Sequence, residues 1–572
     1  MEIKFLNMKN ILSISLLLAC LSLIIGCQQP DELTSPVVRM GINSVTASFL
    51  DGTGEFTGNT PENGNEIVIP IPYYYPESSN NQVTGEMLKK MRVRANLDNN
   101  VIVDPPMLYM DLTQNNTITV TDQRKEKKQY TVRGEIRKSA ACSIEEFSIP
   151  SLGLSGIINE TTKTISLITI EVGEPVLAAV RLSYHATVSP DPTVVALDYD
   201  QDVKLTVTAN DGVTKNVYTV KKEIPNKLPF GIRAGSAKLM FAKQLKADLG
   251  ITVDNLTGGI AATNDYVIIN TRNANSIYID AKTGAKLGEF DLGPVKGSLR
   301  NFYTTADGAG NVLICNLARN DGTFKVWKLT SMTGSTELFI DWPENTTYDI
   351  GRKISVYGNL NENAIITAPL LVAWDATRTT KFARWTVVNG VLTSRIPEEV
   401  TISGLSVGWT TNCDVMPTSA TNPNADYFVT YYSDNEFAWV NGTTNQVRKK
   451  LAAISTNYVS NAIDYAEFNN AKFVTLNWTN SNTWGASDIV WLLDVSNDAN
   501  FSGNLETKTC PAVIWECPPN TYSFRAIDSG VANGNNTGDV ALRVSKDGYY
   551  LYLYFMFTNG YVVGYQFDCV DM

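Results

Sequence analysis

FVTLNWTNSNTWGASDIVWLLD, residues 473–494, holds the unit that decides the fold. An apolar strand leads into a polar gap, and a second strand follows with a tryptophan at its centre. The same unit recurs through residues 225–572. Its first strands begin YVIIN (266), NVLICN (311), NAIITA (363), YFVTYY (427), FVTLNW (473) and YYLYLYFMF (549). The second strands centre on Tyr278, Trp327, Trp385, Trp439, Trp491 and Tyr565, spaced by 49, 58, 54, 52 and 74 residues. A recurrence averaging about 58 residues over 225–572, with one aromatic per unit, predicts a propeller of six blades, the aromatic of each third strand wedged between neighbours. The chain ends just after VGYQFDCV, which leaves the last blade without an outer strand, and an unpaired edge is a liability. AKLMFAKQL, residues 237–245, alternates and is predicted to supply that strand and close the ring.

Upstream, TITVTDQRKEKKQYTVRGEI (117–136) and KLTVTANDGVTKNVYTVKKEI (204–224) repeat one another. Val120 matches Val207 and Tyr130 matches Tyr218, offsets of 87 and 88. Each reads as a β-hairpin, and the offset is the length of one small β-sandwich. The expected organisation is all-β: a sandwich over 40–138, a second over 139–224, and the propeller over 225–572, with NKLPFGI (226–232) as the link. In IPIPYYYP, one or two of Tyr73, Tyr74 and Tyr75 are expected to pack into the first sandwich while the prolines protect an edge strand.

VTANDGVTKNVYTV resembles the Ig-like modules of Bacteroidetes surface proteins, an adhesin-type family of unknown function. In the first unit DQRKEKK replaces the usual Asp-Gly turn. LTGGIAATNDYVII resembles an uncharacterised Bacteroidetes propeller family that often follows such modules. Neither resemblance carries a catalytic signature.

Residues 1–26 have the charged start and short apolar core of a signal peptide, too short for a comfortable membrane span. Ile24-Ile25-Gly26-Cys27 resembles a bacterial lipobox, which implies lipid attachment at Cys27. Met8 is an alternative start. QQPDE after the cysteine is similar to the export tag of lipoproteins displayed outside the outer membrane. Residues 27–39 then form a linker. The expectation is a lipid-anchored protein on the cell surface, attached to the membrane through the lipid alone.

A net charge of −11 with scattered charges offers no basic stripe for nucleic acid. With a single histidine, His185, a Ser-His-Asp triad or a histidine-rich metal site would have to be built on that residue. His185 is expected to be a partly exposed strand residue. No phosphate loop or Gly-x-Ser-x-Gly motif occurs. Asp198, Asp200 and Asp202 have spacing that suits calcium, against a solvated loop as the plainer reading. Asp341, Asp349, Asp375 and Asp414 read as loop carboxylates. Cys510 and Cys517 are the disulfide candidate; the remaining cysteines of the mature chain read as small buried hydrophobes. No cofactor, metal or catalytic residue is assigned, so the chain is expected not to be an enzyme.

All ten tryptophans lie beyond residue 320. Trp374, Trp478 and Trp484 are expected between the second and third strands of blades, and Trp342, Trp409 and Trp515 between blades, connections that emerge on one face of the ring. An indole face beside amides and hydroxyls suits a sugar. Trp374, Trp409, Trp478, Trp484, Asn480 and Asn482 are therefore the ligand-binding candidates. The expected role is glycan capture for an outer-membrane uptake system, with a TonB-dependent transporter as partner. The alternatives are peptide capture, an adhesin that binds protein, and, furthest off, a propeller enzyme.

Overall fold

The computed structural model describes residues 41–571 apart from 60–63, 320–321, 330, 333, 346, 373–376, 433–435, 453–458 and 481–486. The chain divides into two compact units between Ile224 and Pro225.

The first unit holds both sandwiches. In the first, one sheet runs Phe56–Gly58, Ile42–Ser48, Met91–Leu97, Tyr109–Met110; the other runs Glu66–Pro72, Lys127–Arg137, Asn116–Thr121, Ile102–Asp104. In the second, a three-stranded sheet around Ile144–Ile149 faces a five-stranded one around Lys215–Glu223. The sequence repeat is a structural repeat. Each copy pairs its hairpin strands antiparallel, Ile118 opposite Tyr130 and Leu205 opposite Tyr218. Each then adds a parallel strand, Glu66–Pro72 or Thr164–Ile168, on the far side of the second hairpin strand. Period-two alternation turns Val120, Tyr130, Val207 and Tyr218 inward, where all are buried. Glu66–Pro72 is an edge strand carrying Pro70 and Pro72, as its composition requires. Tyr75 packs its ring against Phe49 and Phe56 at 5.4 and 5.6 Å, while Tyr73 and Tyr74 stay half-buried outside that core.

The second unit is the six-bladed ring. Its inner strands are Thr257–Ala262, Tyr303–Ala306, Ser355–Gly358, Cys413–Pro417, Val459–Phe468 and Gly538–Val544, each opening one antiparallel blade. In blade 3 the outer position is shared by Val391–Leu392 and Glu398–Thr401. The long last interval of the aromatic period comes from the connection after Val513–Glu516, which carries a short 3-10 turn at Phe524–Ala526 before the sixth blade. The predicted closure is present: Lys238–Gln244 pairs antiparallel with Tyr561–Asp568, from Lys238 opposite Gln566 to Gln244 opposite Tyr561. Phe241 locks it. A Cβ at Gly284 or Gly564 would lie 2.6 Å from the Phe241 ring, so both glycines make room for that side chain.

Trp385 and Tyr565, two of the six third-strand aromatics, bridge blades. Trp385 of blade 3 meets Phe324 and Trp342 of blade 2 at 5.7 and 6.1 Å, and Tyr565 of blade 6 meets Trp515 of blade 5 at 4.7 Å. Around the axis a second device joins the blades. Asp414, Asp464 and Asp539 stand on the inner strands of blades 4, 5 and 6. Each accepts a backbone N–H from the inner strand of the next blade: Ile463 N at 3.0 Å, Leu542 N at 2.7 Å and Ile260 N at 2.7 Å. These carboxylates are buried, and two cations accompany them. Lys353 Nζ lies 3.0 Å from Asp539 Oδ1, and Arg543 Nη1 lies 3.4 Å from Asp464 Oδ2. Tyr303 OH donates to Asp539 at 2.8 Å.

Candidate functional site

Among the described residues the tryptophans do not form a platform. Trp409 is wholly buried between blades 3 and 4, its Nε1 donating to Leu370 O at 3.0 Å. Trp478 lies inside the strand Ala471–Thr479 rather than in a loop, buried edge-on against Trp491 at 4.7 Å. Trp342 and Trp515 sit in outer strands, buried and half-buried. Trp342, Trp409 and Trp515 each lie where two blades close on the ring, where a side chain this large gains most, while Trp478 packs within its own blade. Asn480 is buried as well. Its N–H donates to Asp488 Oδ1 at 2.7 Å and its carbonyl accepts from Arg525 Nη2 at 2.9 Å, so its backbone serves the loop. Trp374, Trp484, Asn482, Asp375 and Cys27 lie outside the described residues.

Other expectations need correction. Cys510 and Cys517 are free thiols. The strand Val513–Glu516 runs extended between them and pairs with Trp491–Leu493. Four extended residues span about 13 Å, far beyond the reach of a disulfide. Cys517 Sγ accepts from Val490 N at 3.1 Å instead. Asp200 is committed to Val172 N, Gly173 N and Lys222 Nζ, all within 3.0 Å. Among the described residues no group of three metal-ligating side chains forms. Asp414 is an axial staple, not a loop carboxylate, and Asp349 is buried beside Arg319.

The motifs that do converge are IPIPYYYP and the single histidine. They come from different sandwiches and meet in a cleft of about 380 Å³, within the usual range for ligand sites. Tyr73 leaves the edge strand with its N–H on Arg137 O at 2.8 Å and its carbonyl accepting Val83 N at 2.8 Å. Its ring meets that of Tyr74 edge-on at 5.0 Å. His185 is not a strand residue. It sits between Ala179–Leu182 and Thr187–Ser189 with φ +61, which swings its ring onto Tyr74, stacked at 4.0 Å. Its Nε2 lies 2.9 Å from both Glu77 O and Ser79 O. Two carbonyls can only accept, so Nε2 carries the proton and donates to them. Tyr184, its neighbour in the chain, also lines the cleft and leaves 57 % of its surface exposed.

Polar groups complete the walls. Arg137 is held by Glu135 through two bonds of 3.1 Å, and that guanidinium draws the Glu135 carboxyl below its ordinary range. Glu145 pairs with Arg181. Lys138 Nζ stands 5.2 Å above the Tyr73 ring. Ser139, Ser183 and Asn210 line the remainder. The arrangement therefore offers one open aromatic face, three supporting rings and a rim of hydroxyl, amide and charged groups. The signal for it was present in the sequence as three tyrosines and one histidine; what joined them is the packing of the two sandwiches.

The fold defines a two-sandwich, six-bladed propeller protein. The chain belongs to the family described as Domain of unknown function (DUF8500), whose model matches residues 239–568, more than half of the sequence. Residues 22–134 match Domain of unknown function (DUF5018) and residues 144–222 match Domain of unknown function (DUF8499). No curated protein matches the chain. Among solved structures it is similar to a DUF4623 family protein from Bacteroides eggerthii, with 15 % identity over 75 % of this chain and 98 % of that one, at a TM-score of 0.46. It is also similar to a quinonprotein alcohol dehydrogenase-like protein from Bacteroides thetaiotaomicron, with 10 % identity over 64 % of this chain and 97 % of that one, at a TM-score of 0.29.

Proposed function

We propose that the protein is a lipid-anchored, cell-surface binding protein that captures saccharide without turning it over, as an accessory to an outer-membrane uptake system. The binding site is the tyrosine-lined cleft of the sandwich pair, and the propeller is the display and partner-facing body. The observation that carries this reading is the exposed Tyr184 ring beside the stacked Tyr74–His185 pair, inside a cleft rimmed with polar groups. A sugar ring has apolar C–H faces and a rim of hydroxyls. It rests on an aromatic face while amides, hydroxyls and charged groups read its edge. The lipobox at Cys27 and the acidic residues behind it support the location.

Calorimetry of the purified protein against host, plant and mucin saccharides tests this. Tyr184→Ala is expected to weaken binding about tenfold, the worth of one aromatic contact, with an unchanged melting temperature, because the ring is exposed. Binding that survives this change, or a panel of saccharides that all fail while peptides bind, overturns the reading.

A further inference from the structure

The first sandwich carries a second surface with a chemistry of its own. On the strand Met91–Leu97, Val93 is buried while Arg92 and Arg94 point outward, about 7 Å apart along the strand. Arg92 stands between Ser48 and Tyr109 on the flanking strands, and Arg94 stands opposite Thr46. Lys90 Nζ lies 5.6 Å over the Tyr109 ring. Among the described residues none of these three cations has a carboxylate within 4.0 Å. Three cations left together is unusual in a chain of net charge −11. Aliphatic groups flank them. Leu108, next to Tyr109, is 65 % exposed. Leu50 is 51 % exposed in the turn whose Gly52 lies against Arg92. The one acid in that turn, Asp51, is bound to its own Thr53 at 2.7 and 2.9 Å.

We infer that this sheet face, built by Lys90, Arg92, Arg94, Tyr109, Leu50 and Leu108, docks the first sandwich on a membrane surface bearing anionic phosphate headgroups. The cations meet the phosphates, the tyrosine sits at headgroup level, and the two leucines enter the boundary of the acyl region. A soluble polyanion would use the cations and gain nothing from the leucines, which is why the lipid surface is the better fit. The inference stands apart from the tyrosine cleft and survives if that cleft binds nothing.

The test uses residues 28–572, without acyl chains, and co-sedimentation with vesicles. The chain is expected to pellet with vesicles of 30 % phosphatidylglycerol in phosphatidylcholine, and not with phosphatidylcholine alone. Binding should fade in 0.5 M salt. Arg92→Gln with Arg94→Gln should lower the partition coefficient about thirtyfold, from the usual contribution of each basic residue at such a surface. Leu50→Ser with Leu108→Ser should lower it too. Absence of binding to the anionic vesicles, or binding indifferent to the arginine changes, overturns the inference. Leucine changes without effect, together with full competition by dextran sulfate, would make the face a polyanion site and overturn it equally.

Discussion

Lys353→Met unfolds the ring unit at a markedly lower temperature than the unaltered chain, while the two sandwiches melt as before. Lys353 is 7 % exposed at its side chain and Asp539 2 %, with 3.0 Å between the charged atoms. The ammonium also donates to Gly538 O at 3.2 Å and lies 4.3 Å over the Tyr303 ring. Removing it leaves the Asp539 carboxylate buried without a counter-charge, held among the described residues only by Ile260 N and Tyr303 OH, which costs about 3–5 kcal/mol. Differential scanning calorimetry separates the two units and reads the loss directly; an unshifted ring transition would show that the pair carries no such weight.

The same axis predicts how the ring responds to acid. Burial pushes the Asp464 carboxyl up from 3.8 to about 6, against the opposing pull of Arg543; burial also raises Asp414 and Asp539. A folded carboxyl that holds its proton more tightly than the unfolded one takes up a proton as pH falls through that window. The ring therefore gains stability between neutral pH and about pH 5, by about 1 kcal/mol for Asp464 alone, and the full gain is reached only below the unfolded value of 3.8. Its melting temperature should rise on mild acidification, and Asp464→Asn should flatten that rise. A fall in melting temperature over the same range contradicts the assignment.

The second large effect is at the closure. Phe241 is 5 % exposed, between the glycines at 284 and 564 and 6.2 Å from the Tyr554 ring. Phe241→Ala removes the side chain that ties the outer strand to blade 6 and to the turn of blade 1. Truncating a buried phenylalanine costs about 3–5 kcal/mol, and here the loss falls on the contact that turns a row of blades into a ring. Limited proteolysis should cut near residues 238–256 in the variant and spare the unaltered chain. Leu239→Ala, on the same strand but 45 % exposed, should do almost nothing. Equal resistance of all three proteins would show that closure rests elsewhere.

The fold was largely legible because its signals are local. Val120, Tyr130, Val207 and Tyr218 alternate, and alternation alone assigns them to the inner faces of two hairpins. Trp385 and Tyr565 mark third strands by their spacing, and the alternating Lys238–Gln244 pairs with Tyr561–Asp568. The inner strands were harder to read. Tyr303–Ala306 and Ser355–Gly358 are four residues each, too short to show a period.

The sequence by itself determined the number of repeats, the place of the closing strand and the split between sandwiches and ring, since each follows from periodicity and pairing along the chain. Which of the large aromatic side chains stay open to solvent was decided only by tertiary structure. Trp409 and Trp478 have the composition of a sugar platform around them, yet both are buried, Trp409 between two blades and Trp478 against Trp491 of its own blade. Tyr74 and His185, 111 residues apart, become one stacked pair only because two sandwiches meet there. Exposure is a property of what packs against a residue, and that partner is chosen in space, not in sequence.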